Sequence, residues 1–82
     1  MDGIPQNFHY DPSDQKLKWD ALENAEEYNV VSGYIGEGYD MDVNTSETEQ
    51  EDNNSGRRRS KIRAKIGNKW YDWTAEIQYT VN

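Results

Sequence analysis

Eighty-two residues, sixteen Asp and Glu against nine Lys and Arg, a net charge of −7 and no cysteine describe one small acidic domain. A chain this short buries roughly 60% of its extended surface, so a second core is excluded, and the absence of thiols excludes disulfide staples and thiolate metal sites. The acidic balance argues against a general nucleic-acid binder, which needs a basic surface, and no apolar run approaches the ~18 residues of a membrane span.

Met1-Asp2-Gly3 opens no charged and apolar leader. Phe8 and Tyr10 alternate with Asn7, His9 and Asp11, and Leu17 and Trp19 alternate with Lys16, Lys18 and Asp20. That period of two predicts a pair of half-buried strands. Asp11-Pro12-Ser13-Asp14 between them has Pro at the second position of a turn and Asp at the first, which predicts a hairpin. From Asp20 to Tyr28 two readings compete. Asp20 and Glu23 have capping-box spacing and Leu22, Ala25 and Tyr28 could share a helical face, but two turns form a marginal helix and β-rich residues follow at once, so a loop is preferred.

Tyr28 to Ile35 reads as a strand, Gly36-Glu37-Gly38 as a turn and Tyr39 to Val43 as the returning strand. Asn44 to Lys61 holds no Val, Ile, Leu, Met or aromatic residue and switches from acidic to basic. Such a stretch cannot offset its own ordering entropy, so residues 44–59 are expected to form a polar, mobile loop. Ser60, Ile62, Ala64 and Ile66 then share one strand face and Lys61, Arg63 and Lys65 the other. Gly67-Asn68-Lys69 turns the chain. After Trp70-Tyr71-Asp72-Trp73, Ala75, Ile77, Tyr79 and Val81 alternate with Glu76, Gln78 and Thr80 in a long last strand, antiparallel to the one before.

The order of these pieces resembles the fibronectin type III domain: Pro5 before the first strand, Trp19 in the second, and Ala25 and Tyr28 leading the third. Ile62-Arg63-Ala64-Lys65-Ile66 is similar to that family's sixth strand, where an apolar residue is followed two positions on by alanine. The resemblance implies an all-β, immunoglobulin-like β-sandwich with Trp19 in its core. The expected core is Trp19, Tyr28, Val30, Ile62, Ala64, Ile66, Ile77 and Tyr79. Two departures stand out. Arg58 occupies the place of a tyrosine that in the family ties back to an upstream turn, and Asn44 to Lys61 offers nothing like an apolar fifth strand, so that strand is expected to be weak or missing. Trp70-Tyr71-Asp72-Trp73-Thr74 is similar to the tryptophan-serine-x-tryptophan-serine box of some cytokine-receptor modules, with Tyr71 and Thr74 in place of the serines. The resemblance implies a ladder in which Trp70 and Trp73 lie among Lys61, Arg63 and Lys65.

His9 is the single histidine, so no transition-metal site is expected, and the spacing of Asp40, Asp42, Glu47 and Glu49 lacks the Gly and closing Glu of a calcium loop. No nucleophile and base can be paired, which points away from an enzyme, and no cofactor is implied. Asn44-Thr45-Ser46 and Asn53-Asn54-Ser55 are glycosylation sequons with meaning only in a secretory setting. The expected function is a non-catalytic protein-binding or spacer module of a larger extracellular or cell-surface protein, monomeric, with another protein or neighbouring domains as partner, and neither nucleic acid nor membrane. Recognition is expected from the loops at one end of the sandwich, Leu22, Glu23, Asn24, Glu26 and Glu27 with Asn68, Lys69, Trp70 and Tyr71. Two alternatives stay open: an intracellular adaptor switched through residues 44–61 by phosphorylation of Ser60 behind Arg57-Arg58-Arg59, and a carbohydrate-binding module using Trp70 and Trp73 as platforms.

Overall fold

The computed structural model describes residues 3–82; Met1 and Asp2, on which the leader reading begins, lie outside them. Among the described residues eight strands and no helix follow in the order β1 (His9–Asp11), β2 (Lys16–Lys18), β3 (Ala25–Tyr34), β4 (Tyr39–Thr45), β5 (Glu49–Glu51), β6 (Gly56–Ile66), β7 (Lys69–Trp70) and β8 (Ile77–Val81). They form two antiparallel sheets, compatible with a β-sandwich: one of order β1-β2-β5, the other of order β4-β3-β6-β7 with β8 also pairing β6.

The first hairpin forms as its pattern requires. Asp11 Oδ1 accepts from Ser13 N at 2.9 Å and Ser13 Oγ at 2.7 Å, closing the turn before Gln15 takes a left-handed φ of 58°. Pairing of Tyr10 with Leu17 then places both on the inner face. The segment after Trp19 is a loop: Ala25 N donates to Leu22 O at 3.0 Å, Asn24 has φ 68°, and the Tyr28 hydroxyl accepts from Leu22 N at 2.8 Å. The β3–β4 hairpin bulges between Ser32 and Gly33, and a Cβ on Gly33 would run into the Gly38 carbonyl, so only glycine lets the strands approach there.

Trp19 sits at the centre of the core, edge-on to Tyr28 at 5.4 Å and to Phe8 at 6.1 Å, with Leu17, Val30, Ile62 and Ala64 buried around it. Ile77 and Tyr79 are partly buried and pack against this cluster, and Tyr79 stacks on Tyr10 at 4.6 Å across the sheets. Ile66, expected inside, is only half-buried, because β6 runs past the core there to pair with Ala25 and Lys69.

The polar stretch and the last strand differ from expectation. The stretch expected as a loop over 44–59 carries β4 through Thr45, the three-residue β5 and the start of β6 four residues before Ser60. The fifth strand, expected to be weak or missing, is formed but only three residues long, pairing Lys16, Leu17 and Lys18 with Glu51, Gln50 and Glu49. Asp52 and Arg58, polar by composition, are fully buried and act as core residues, which the apolar count could not register. The last strand is not continuous. Residues 71–76 leave the ladder of sheet hydrogen bonds but stay tethered to β6, with Tyr71 N donating to Ala64 O at 2.9 Å, Thr74 N donating to Ile62 O at 2.8 Å and Ile62 N donating to Thr74 Oγ1 at 3.2 Å.

Candidate binding surface

Residues on the outer face of β6 stand on alternate positions, so Arg59, Lys61, Arg63 and Lys65 project together. The tethered segment beside them lays its rings between these cations. Lys65 Nζ lies 5.8 Å and the Arg63 guanidinium 4.9 Å from the Trp70 ring, and Trp73 has Arg63 at 4.4 Å and Lys61 at 4.6 Å. The sequence-expected ladder of Trp70, Trp73, Lys61, Arg63 and Lys65 is thus brought together, and it runs on beyond Lys61. Tyr39 lies 5.6 Å from Lys61 and 4.2 Å from Arg59, whose Nη1 also donates to Glu76 Oε1 at 3.1 Å. Tyr39 and Arg59 are both register partners of Gly33, and because Gly33 has no side chain they meet across it.

The central cation is held from below. Arg63 Nε donates to Asn29 Oδ1 at 3.0 Å, and buried Asn29 in turn donates through Nδ2 to Asp42 Oδ1 at 2.6 Å and Asn44 Oδ1 at 2.9 Å. Asn29, Tyr39 and Asp42 were not legible as ladder parts, since they come from β3 and β4 and only register places them beside β6, while Arg59 continues the β6 alternation into a stretch read as loop. Arg63→Ala should cost about 1–3 kcal/mol, removing two stacking contacts and one charged hydrogen bond. Trp70 and Trp73 would gain water, so urea unfolding and a red shift of tryptophan emission check this. Arg63→Lys should recover only part of the loss, because an ammonium lacks the planar fork.

The two candidate loops meet at one end of the molecule. Ala25 pairs with Ile66, and Asn68 N donates to Glu26 Oε2 at 3.3 Å. Glu23, Asn24, Glu26, Asn68, Lys69 and Tyr71 are exposed there, whereas Leu22, Glu27 and Trp70 are half-buried. Tyr71, 38% exposed, rests against Gly3, whose φ of 85° and lack of a Cβ admit the ring, and Lys69 Nζ lies 5.6 Å from it.

Behind β4 a polar cluster joins the sheets. The fully buried Arg58 guanidinium donates through Nη1 and Nη2 to Asp40 at 2.7 and 2.8 Å, through Nε to Asp52 Oδ2 at 3.1 Å, and lies 4.5 Å from the Tyr34 ring. Asp52 Oδ2 also accepts from the Tyr79 hydroxyl at 2.6 Å and Ser32 Oγ at 3.3 Å, while Oδ1 accepts from Asn54 N at 3.3 Å and Nδ2 at 3.1 Å. Arg58 thereby ties β6 to the upstream residues Asp40 and Asp52. Burial pushes the Asp52 carboxyl up, but donors from Tyr79 and Arg58 outweigh it and hold the group below its ordinary value. Hydrogen bonds from Arg58 likewise lower Asp40, and burial followed by the hydrogen bond to Asp52 raises Tyr79.

Carboxylates lowered in the fold contribute stability that is present above their unfolded pKa of ~3.9 and lost as pH falls through the folded value. The melting temperature should therefore hold from about pH 7 to 5 and drop below about pH 4, with a shallower drop in Asp52→Asn. Thermal unfolding followed across that range checks both statements.

Among the described residues no group of three or more His, Cys, Asp or Glu side chains is placed to hold a metal ion. His9 is exposed, its Nδ1 2.7 Å from Asn7 O. Ser60, the proposed phosphorylation point, is fully buried and donates through Oγ to Val31 O at 2.7 Å. No family model, curated protein or solved structure matches the chain.

Proposed function

We propose that this chain is a β-sandwich of the fibronectin type III type that serves as a non-catalytic protein-recognition module in a larger extracellular or cell-surface protein. The observation that supports it is the joining of the Leu22–Glu27 and Gly67–Asp72 loops at one end, above a ladder that fixes Trp70 and leaves Tyr71 presented. Loops held by a rigid scaffold lose little entropy on binding, and an exposed tyrosine supplies rigid contact area, which is what such recognition requires. The ladder also agrees with the Trp-x-x-Trp resemblance, and Trp19 takes the position that the resemblance assigns it.

Two alternatives fare less well against the geometry. A switch at Ser60 would need a kinase to reach a hydroxyl that is fully buried and already bonded. Sugar platforms at Trp70 and Trp73 would need open ring faces, but Arg63 lies within stacking distance of both.

The test is a Glu23→Ala/Tyr71→Ala variant, both exposed positions, carried in the parent protein with its flanking domains. Cross-linking on the cell surface should capture a partner with the native module and lose it with the variant, while the melting temperature of the isolated module changes little. Equal capture by both would move recognition away from this end. No capture by either would leave the module as a spacer.

A further inference from the structure

The edges of the larger sheet are unequal. On the β7–β8 side, residues 71–76 break the strand and are bound back onto β6, and β8 offers five residues without charge. In the smaller sheet β1 and β5 are three residues each. β4, by contrast, is seven residues long and pairs with β3 along one side only. A strand of this length at an edge presents a row of backbone N–H and C=O groups ready for another chain.

Charge says what kind of chain. Asp42 stands on the outer face of β4, and past Thr45 the edge runs into an open hollow of about 420 Å³ walled by Glu47, Glu49, Glu51 and Lys16. The single cation in that wall is occupied, with Lys16 Nζ 2.7 Å from Glu49 Oε2, and Asp42, Glu47 and Glu51 make no ion pair among the described residues. On the inner side Met41 and Val43 are only half-buried. A second copy of β4 would bring like charges together and is disfavoured.

We propose that β4 is a docking edge for an extended basic segment of another protein, one that alternates Lys or Arg with apolar residues and adds to the sheet as its next strand. With a period of two, the apolar residues of such a segment extend the cover over Met41 and Val43, while its cations meet Asp42 and, beyond Thr45, Glu47 and Glu51. This surface is separate from the loop end, so either can fail without the other.

The probe is an acetylated, amidated peptide of alternating Lys and Val, about eight residues long to match the edge, titrated into the isotope-labelled domain. The largest amide shifts should fall on Tyr39–Thr45, binding should weaken with added salt, and a Glu-Val peptide should leave those amides unmoved. N-methylation of alternate peptide nitrogens should weaken binding about tenfold or more, because strand addition needs those donors. Asp42→Lys/Glu47→Lys/Glu51→Lys should do the same. Shifts centred on Ile77–Val81 or scattered over the surface, or equal binding by the N-methylated peptide, would overturn the proposal. That comparison uses the native protein and stands even if the triple variant fails to fold.

Discussion

Trp19→Ala should leave the domain largely unfolded. The indole is 4% exposed, lies between the sheets and touches rings from both the N-terminal segment and β3. Truncating a buried aromatic of this size costs about 3–5 kcal/mol, through lost transfer energy and the cavity left behind. A disulfide-free domain of 82 residues has only a few kcal/mol to lose. Collapsed amide dispersion at 25 °C is the expected result, and an unchanged melting temperature would remove Trp19 from the centre of the core. Trp19→Phe should be far milder. The indole Nε1 is buried without a hydrogen-bond partner, so the smaller ring discards an unsatisfied donor together with some packing.

Arg58→Met should destabilise nearly as much, for a different reason. Removing the guanidinium leaves Asp52 buried with no opposing charge, and breaking one side of a buried ion pair costs about 3–5 kcal/mol. Asp52→Leu alone strands a cation that still has Asp40. The double variant Arg58→Met/Asp52→Leu should therefore be less damaged than the sum of the two, with a coupling of about 1–3 kcal/mol in urea unfolding. Effects that add to within about 0.5 kcal/mol would mean that the cluster does not act as a unit. Arg58→Lys should not rescue, because an ammonium cannot make the forked contact with Asp40 while also reaching Asp52.

The cluster also shows why part of the chain was misread. Asn44 to Lys61 looked too polar to order itself, and judged by apolar content it is. Yet the period-two pattern of Ile66, Ala64, Ile62 and Ser60, followed backwards, puts Arg58 on the same inward face. The alternation was legible; that a charged residue at an inward position would find two carboxylates and a tyrosine was not. In the same way Trp70, Trp73 and the cations of β6 could be paired from local spacing, whereas Tyr39 joined them from β4 only because Gly33, between the two strands, carries no side chain.

What the amino-acid order determined by itself is therefore local and periodic. Alternation set which side of β1, β2 and β6 faces inward, and Pro, Gly and Asp set the first two hairpins, because both depend on neighbours a few residues apart. Packing of the two sheets decided the rest. It placed Asp52, Arg58 and Tyr79 within bonding distance, formed β5 against β2, broke the last strand and left β4 as an open edge. Those outcomes rest on contacts between residues far apart in the chain, whose charges and hydrogen bonds are satisfied only when the sheets come together.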